Sequence, residues 1–362
     1  DYHGFRFLVM SMPPVDEQRT QVYGRLDTHD PNSFFEDNDA MFHGLHGAAC
    51  DELNLKPHNI ISGGESKLIN GSVETQGHYC HDGRYYAMNF SRLMPSDLPN
   101  DGMEMLTKQL RPELVTTYRM PLSSDAFSSL TAPPKDDASA TLISDSDQAD
   151  IEVGNASRFL LTEHIPNFVS QLDLLKVFPY DSGTFTKAVH AAGINVRHIG
   201  RIAEMTRLPH VREMVVVEML ARTGKAILKR GHRRIIHKAK EAAEKVIMQK
   251  EEDVGTAKID EELKQNLLSY TEHLNQDNVA HIVDFFNLMV GMPNDRENND
   301  FWKHVLLPTL ASKFNYNHSS ASDPLNIDRV HICPMQLFHA LQYHCGVRCA
   351  TSNDYHFDGE AF

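Results

Sequence analysis

No stretch of this chain approaches the run of roughly 18 apolar residues that a membrane-spanning helix needs. The opening residues, DYHGFRFLVM, lack the basic start and small-residue cleavage site of a signal peptide. The expectation is therefore a cytosolic protein with no membrane insertion. The chain also lacks an initiating Met and runs straight into what reads as a strand, as a piece cut from a longer protein would. Cysteine is scarce and odd in number: Cys50, Cys80, Cys333, Cys345 and Cys349 argue against a disulfide framework and for a reducing compartment. Common catalytic spacings are missing. Gly224-Lys225 is followed by Ala226, where a phosphate loop needs Ser or Thr, and H-E-x-x-H, G-x-S-x-G and G-x-G-x-x-G do not occur. No repeat at a solenoid period is visible.

What is present suits a globular protein. Hydrophobic residues make up 41% and charged residues 23% of 362 positions, enough chain for two domains that each bury a core. The formal charge of −14 is unevenly spread. Residues 197–250 hold 14 Lys and Arg against five acids, a net of +9, which leaves −23 for the rest. A basic segment inside an acidic protein is the footprint of a polyanion-binding face, and equally of a basic helix docked on an acidic neighbour.

The first 125 residues change character every 8 to 15 positions and read as α+β with antiparallel hairpins. FRFLVM, QVYGRLD, KLING and GHYCHDGRYYAMNF suggest strands, and DAMFHGLHGAACDELNL a helix. Asp82-Gly83 predicts a two-residue hairpin turn. Residues 126–153, rich in Ser, Asp, Ala and Pro, read as a flexible acidic linker. A mainly α-helical domain is expected over 154–362. Thr184 is the expected N-cap of TFTKAVHAAG and Gly193 its left-handed terminator. Asn195 restarts a helix to Met205, and Pro209 opens a long basic one reaching about Lys250, with Gly231 as its weak point. Further helices are expected after Asp277, over FWKHVLLPTLASKF, and from Pro334 to Gly346.

Two clusters could carry chemistry. His331, Cys333, His339, His344, Cys345 and Cys349 offer zinc-type ligands, but C-x-x-C hooks are missing and most of them point to different sides of one helix, so packing is the expected role and no metal is assigned. The basic run has two open readings. Arg222, Lys225, Lys229, Arg230, Arg233, Arg234, Lys238 and Lys240 track an RNA phosphate backbone, or they form the solvated face of an amphipathic helix aided by pairs such as Glu241 with Lys245. Few aromatics interleave with the run, which favours backbone contact over base stacking. In GINVRHIGRIAE, Gly193 and Asn195 shape a tight corner, Val196, Ile199 and Ile202 bury it, and Arg197 and Arg201 read as structural buttresses.

Several segments resemble the CLU family of clustered mitochondria proteins: LNLKPH (53–58), GHYCHDGRYYAMNFSRLMP (77–95), LRPELV (110–115), PLSSDAF (121–127) and above all HAAGINVRHIGRIAE (190–204), continued by FWKHVLLPTLASKF and MQLFHALQYHCGVR. On this resemblance, 1–125 is the later part of a CLU domain and 154–362 the family's central helical region. The resemblance implies a cytosolic, non-enzymatic protein, without cofactor, that binds messenger RNAs for nuclear-encoded mitochondrial proteins and associates with the ribosome or the translation initiation factor complex. It also implies a role in mitochondrial distribution, in granules or near the mitochondrial outer surface, and self-association through regions outside this chain. The family's ubiquitin-like portion and TPR array are not in this sequence, and Asn89 stands where the family more often has Asp.

Overall fold

The computed structural model describes residues 11–16, 19–25, 33–62, 65–97, 108–128, 145–176, 179, 181–253, 261–291, 296–316 and 332–348, with backbone only at 65, 145–147, 182, 242–253 and 261–274. The strand expected over FRFLVM lies outside the described residues, as does 129–144 of the expected linker. The chain divides into two compact units, Leu8–Val196 and Arg197–Phe362. That division falls inside GINVRHIG, whereas the sequence changes character across 126–153.

The first unit is α+β. Strands β1 (Gln21–Arg25), β2 (Phe35–Asp37), β5 (Gln76–Tyr79) and β6 (Tyr85–Met88) form an antiparallel sheet in the order β2-β1-β5-β6, and β3 (His58–Ser62) pairs with β4 (Glu65–Ile69) in a separate hairpin. Helix α1 (Ala40–Glu52) starts where Asp39 accepts hydrogen bonds from the amides of Met41 and Phe42, each at 2.9 Å. Its Phe42 joins Tyr23, Phe35, Ile60, Ile69 and Val73 in the core. The hairpin turn is longer than Asp82-Gly83. Cys80 and Arg84 close a three-residue loop in which the Gly83 amide donates to the Cys80 carbonyl and Gly83 takes φ +75°. Asn89 is left-handed, φ 63°, and its Nδ2 donates to Gln76 Oε1 at 2.7 Å, a bond that a carboxylate could not donate.

Segments distant in sequence meet around α2 (Pro112–Thr117). The Asn54 amide donates to the carbonyls of Val115, Tyr118 and Met120 at 2.7, 3.0 and 3.3 Å, which closes the helix's C-terminal end. Asp125 of PLSSDAF, buried, accepts from the Val73 amide at 2.7 Å and from Ser72 Oγ at 3.3 Å, and lies 2.9 Å from His58 Nε2. Gly193, at φ +71°, lies so close to α2 that a Cβ would stand 2.6 Å from the Leu114 nitrogen. Only glycine suits that position, for both its handedness and its space.

The end of the segment read as linker is helical. Helix α3 covers Asp145–Phe159 and passes through a π turn, Leu160–His164, into α4 (Ile165–Asp173). Pro166 has no N–H to donate and crowds the carbonyl four residues earlier, so the widened turn fits the sequence. Helix α5 (Ser182–Ala191) is capped by Asp181. Thr184 sits three positions into the helix and completes a reciprocal capping box, so the expected cap is displaced by one turn.

The second unit is helical. After a 3₁₀ turn, Val196–His198, α6 (Ile199–Met205) leads to α7 (Pro209–Asp253), 45 residues without a break at Gly231. Helix α8 (Glu261–Val290) runs through Asp277, which is interior and caps nothing. Helix α9 (Arg296–Phe301), a second π turn (Trp302–Leu306) ahead of Pro308, α10 (Leu307–Phe314) and α11 (Pro334–Cys345) follow. The N-terminal half of α7 packs against α6, α8, α10 and α11. It buries Val211, Val215, Val216, Val217, Met219, Leu220 and Ala221, opposed by Phe285, Phe286, Leu337, Phe338 and Leu341 from α8 and α11. No described helix is long and apolar enough to cross a membrane.

Candidate nucleic-acid interface

Helix α7 changes environment along its length. Beyond Leu228 one side of it still meets α8, where Gly231 and His232 lie against His281, while Lys229, Arg230, Arg233, Arg234, His237, Lys238, Lys240 and Glu241 are exposed. At about 100° per residue these eight positions occupy one half of the circumference, while Leu228, Gly231, His232, Ile235, Ile236 and Ala239 fill the other. The face holds six cations and one carboxylate over roughly 17 Å of helix axis, at about 1.5 Å per residue. Glu241 faces back to His237 Nε2 at 3.3 Å, and its expected partner Lys245 lies where only backbone is described. Lys229, Arg230, Arg233, Arg234 and Lys238 form no ion pair with any described carboxylate.

Arg222 and Lys225, at the packed end of the run, are half-buried. Arg222 Nε donates to Glu218 Oε1 at 2.5 Å, and Glu218 Oε2 lies 2.9 Å from His344 Nε2 on α11. Burial by itself would raise the Glu218 carboxyl. The hydrogen bond from His344 and the charges of His344 and Arg222 outweigh it and hold the group below the usual carboxylate range. Arg222 is therefore part of the α7–α11 packing. Its carbonyl accepts from Lys313 Nζ at 2.8 Å. Desolvation, together with the charges of Arg222, Lys225 and Arg230, pushes the Lys313 amine down to about 8. Lys313 thus extends the basic surface from α10, a neighbour 91 residues away that no local pattern signals.

At the corner, Arg197 is half-buried, with Nε 3.2 Å from His198 Nε2, and Arg201 is exposed on α6. Asn195 is half-buried and Gly193 buried. Arg212 ties α6 to α7. Its Nε donates to the Ala203 carbonyl at 3.1 Å and its Nη2 to the Thr206 carbonyl at 2.7 Å, so one guanidinium satisfies two acceptors at the end of α6. The signal was present in the sequence as an arginine in the first turn after a helix break.

The remaining polar clusters are structural in form. Of the C-terminal group, Cys333 is the N-cap residue of α11, His339 is exposed, His344 is engaged by Glu218, and Cys345 is half-buried; His331 and Cys349 lie outside the described residues. No three metal-type ligands converge among the described residues. Burial pushes the Cys50 thiol up to about 11, the reverse of what a reactive thiolate needs. Ser72, His58 and Asp125 superficially suggest a hydrolase triad, but the Ser72 hydroxyl addresses Asp125 and all three are buried.

Residues 1–99 match the family model described as Clustered mitochondria, and residues 176–357 match the one described as Translation initiation factor eIF3 subunit 135. A Clustered mitochondria protein of Arabidopsis thaliana is 26% identical over 63% of this chain and 21% of its own length. Homologues from Dictyostelium discoideum and Caenorhabditis elegans are 24% and 21% identical over 62% and 64% of this chain, and 22% and 26% of their own lengths. The chain thus spans about a fifth to a quarter of the curated relatives it matches. No solved structure matches it. These relatives are named for mitochondrial clustering and not for a reaction. The chain belongs to the family described as Translation initiation factor eIF3 subunit 135, whose model matches residues 176–357, and over residues 1–99 it is similar to the Clustered mitochondria (CLU) family.

Proposed function

We propose that the chain binds messenger RNA through the exposed face of α7, with Lys229, Arg230, Arg233, Arg234, Lys238 and Lys240 on the phosphates and Arg222, Lys225 and Lys313 supplying positive potential behind them. The observation that carries this reading is the exposed half-circumference with six cations and one carboxylate, on the side of the helix turned away from α8. Each phosphate neutralised by such a face releases counterions, which gives affinity without base-specific contacts. Resemblance to the CLU family supplies the class of message, those for nuclear-encoded mitochondrial proteins, and the cellular role, support of their translation and of normal mitochondrial distribution from the cytoplasm.

The match of residues 176–357 to a translation initiation factor family favours a second reading, since that span contains all of α7. There the same face docks a protein surface of the initiation factor complex or the ribosome. Binding of the chain to a labelled mitochondrial-protein message and to an unrelated RNA across a salt series separates the two. Steep salt dependence with preference for the first RNA supports the messenger reading. No RNA binding at low salt, with retention on purified initiation factors, supports the second.

A further inference from the structure

The first unit contains a cleft that the α7 surface does not involve. It measures about 540 Å³ and lies between the C-terminal end of α2 and the passage from α3 through the π turn. Its walls combine two chemistries. One is a row of three rings: the Tyr118 and Phe159 centroids are 5.6 Å apart, and those of Phe159 and His164 are 5.7 Å apart. The other is a pair of exposed guanidinium groups, Arg119, whose Cζ lies 5.8 Å over the Tyr118 ring, and Arg158, whose Nη1 donates to Asn155 Oδ1 at 3.2 Å. Neither arginine is paired with a described carboxylate, although Glu163 also lines the cleft.

From this combination we propose that the cleft binds a nucleotide, with the planar base against the Tyr118–Phe159–His164 row and the phosphate between Arg119 and Arg158. The volume falls within the roughly 300–1,000 Å³ typical of small-ligand sites. Aromatic faces accept any base by stacking, and guanidinium groups offer paired N–H donors to phosphate. The walls are held in place before a ligand arrives. His164 Nε2 donates to the Ala192 carbonyl at 2.5 Å, which fixes the ring and leaves Nδ1 as an acceptor when the imidazole is neutral. The π turn sets Phe159 and His164 five residues apart, yet brings their rings together. The Tyr118 hydroxyl is buried with no partner among the described residues, a group that the polar edge of a base could satisfy.

Equilibrium dialysis of the complete chain against labelled AMP, GMP, CMP and UMP tests this, with adenosine and inorganic phosphate as half-ligands and a 5′-phosphorylated single-stranded hexanucleotide as the chain-end form. Saturable binding is expected for a mononucleotide, for the hexanucleotide or for both, and this distinguishes a free nucleotide from an RNA end. Each half-ligand should bind at least tenfold more weakly. Arg119→Ala with Arg158→Ala should weaken binding at least tenfold, as should Thr162→Trp, which fills the mouth of the cleft from an exposed position. Circular dichroism checks that both variants fold. Arg233→Glu with Arg234→Glu and Lys238→Glu should leave mononucleotide binding unchanged, and the hexanucleotide is measured on this triple variant, so failure of the α7 reading would not be mistaken for failure of this one. The proposal is overturned if no nucleotide form binds saturably, if phosphate alone binds as well as a nucleotide, or if the folded cleft variants bind like the parent.

Discussion

Glu218 on α7 and His344 on α11 are 126 residues apart in sequence and meet inside the second unit, Oε2 to Nε2, at 2.9 Å. Arg222 holds the other carboxylate oxygen. Replacing Glu218 with Gln leaves both partners near a neutral amide in a buried site, and breaking such a pair costs about 3 kcal/mol. The sign of the pH dependence follows from the lowered Glu218 pKa. The stabilisation is present above the ordinary carboxylate range and is lost as pH falls through and below it. Urea midpoints at pH 7 and pH 4 should show a large gap between parent and Glu218→Gln at pH 7 and a smaller one at pH 4. Equal gaps would mean that the carboxylate charge is not what stabilises the contact.

Gly193→Ala tests the corner. The substitution places a Cβ 2.6 Å from the Leu114 nitrogen and asks an L-residue to hold φ +71°. The left-handed conformation costs roughly 1–2 kcal/mol and the overlap roughly 1–3 more. Thermal or urea unfolding should show a loss of about 3 kcal/mol, far above the few tenths expected of a surface Gly-to-Ala change.

Arg212→Ala and Arg201→Ala separate the two roles that arginines could take at this corner. Arg212 satisfies the carbonyls of Ala203 and Thr206, so its loss should cost about 2 kcal/mol, whereas exposed Arg201 should change stability by less than about 0.5 kcal/mol. Differential scanning calorimetry of the two variants is sufficient. A larger effect from Arg201 would return the buttress to the residue that the sequence suggests.

Lys313 carries a second pH signature, of opposite cause. Its amine is pushed from the ordinary 10.5 down to about 8, first by desolvation and then by neighbouring cations. Between pH 8 and 10.5 the unfolded chain binds more protons at this residue than the folded one, so this group makes stability rise with pH over that window. Lys313→Met should remove that rise. The measurement is the difference in melting temperature between parent and variant from pH 7 to 10.5, which cancels the contribution of other titrating groups. A constant difference would place the amine in free solvent.

What the sequence revealed and what it hid follow from range. Pro209 opening α7, Gly193 closing α5, and Pro334 with Gly346 bounding α11 are local signals, and each marks its helix end in the structure. Asp277 resembled a cap because apolar residues follow it, but the helix is already under way there. Gly231 costs a helix only about 1 kcal/mol, and its missing side chain makes room for His281 of α8, so it marks a contact and not a break. A charge count over 197–250 could not reveal that Arg222 is committed to buried Glu218, or that Lys313 joins the patch from another helix. Nor could ring spacing along one helix show that Tyr118 of the α2 end stands beside Phe159. Local chemistry set the elements; the partners across elements decided which charged and aromatic residues remained available to a ligand.

The basic face itself yields the prediction on which the RNA reading depends. Arg233, Arg234 and Lys238 are on the exposed side of α7, so Arg233→Glu, Arg234→Glu and Lys238→Glu together should shift the melting temperature little. Their effect should appear in the salt dependence of binding. If each cation neutralises one phosphate, the slope of log affinity against log salt for a single-stranded message falls by about 0.7 per lost contact, or about 2 for the triple variant. Affinity at low salt should drop by at least two orders of magnitude, because repulsion replaces attraction at three sites. Arg201→Ala, on the exposed side of α6, should leave the slope unchanged. A triple variant that keeps both fold and slope would show that the phosphates are held elsewhere, and would leave α7 as a surface for a protein partner.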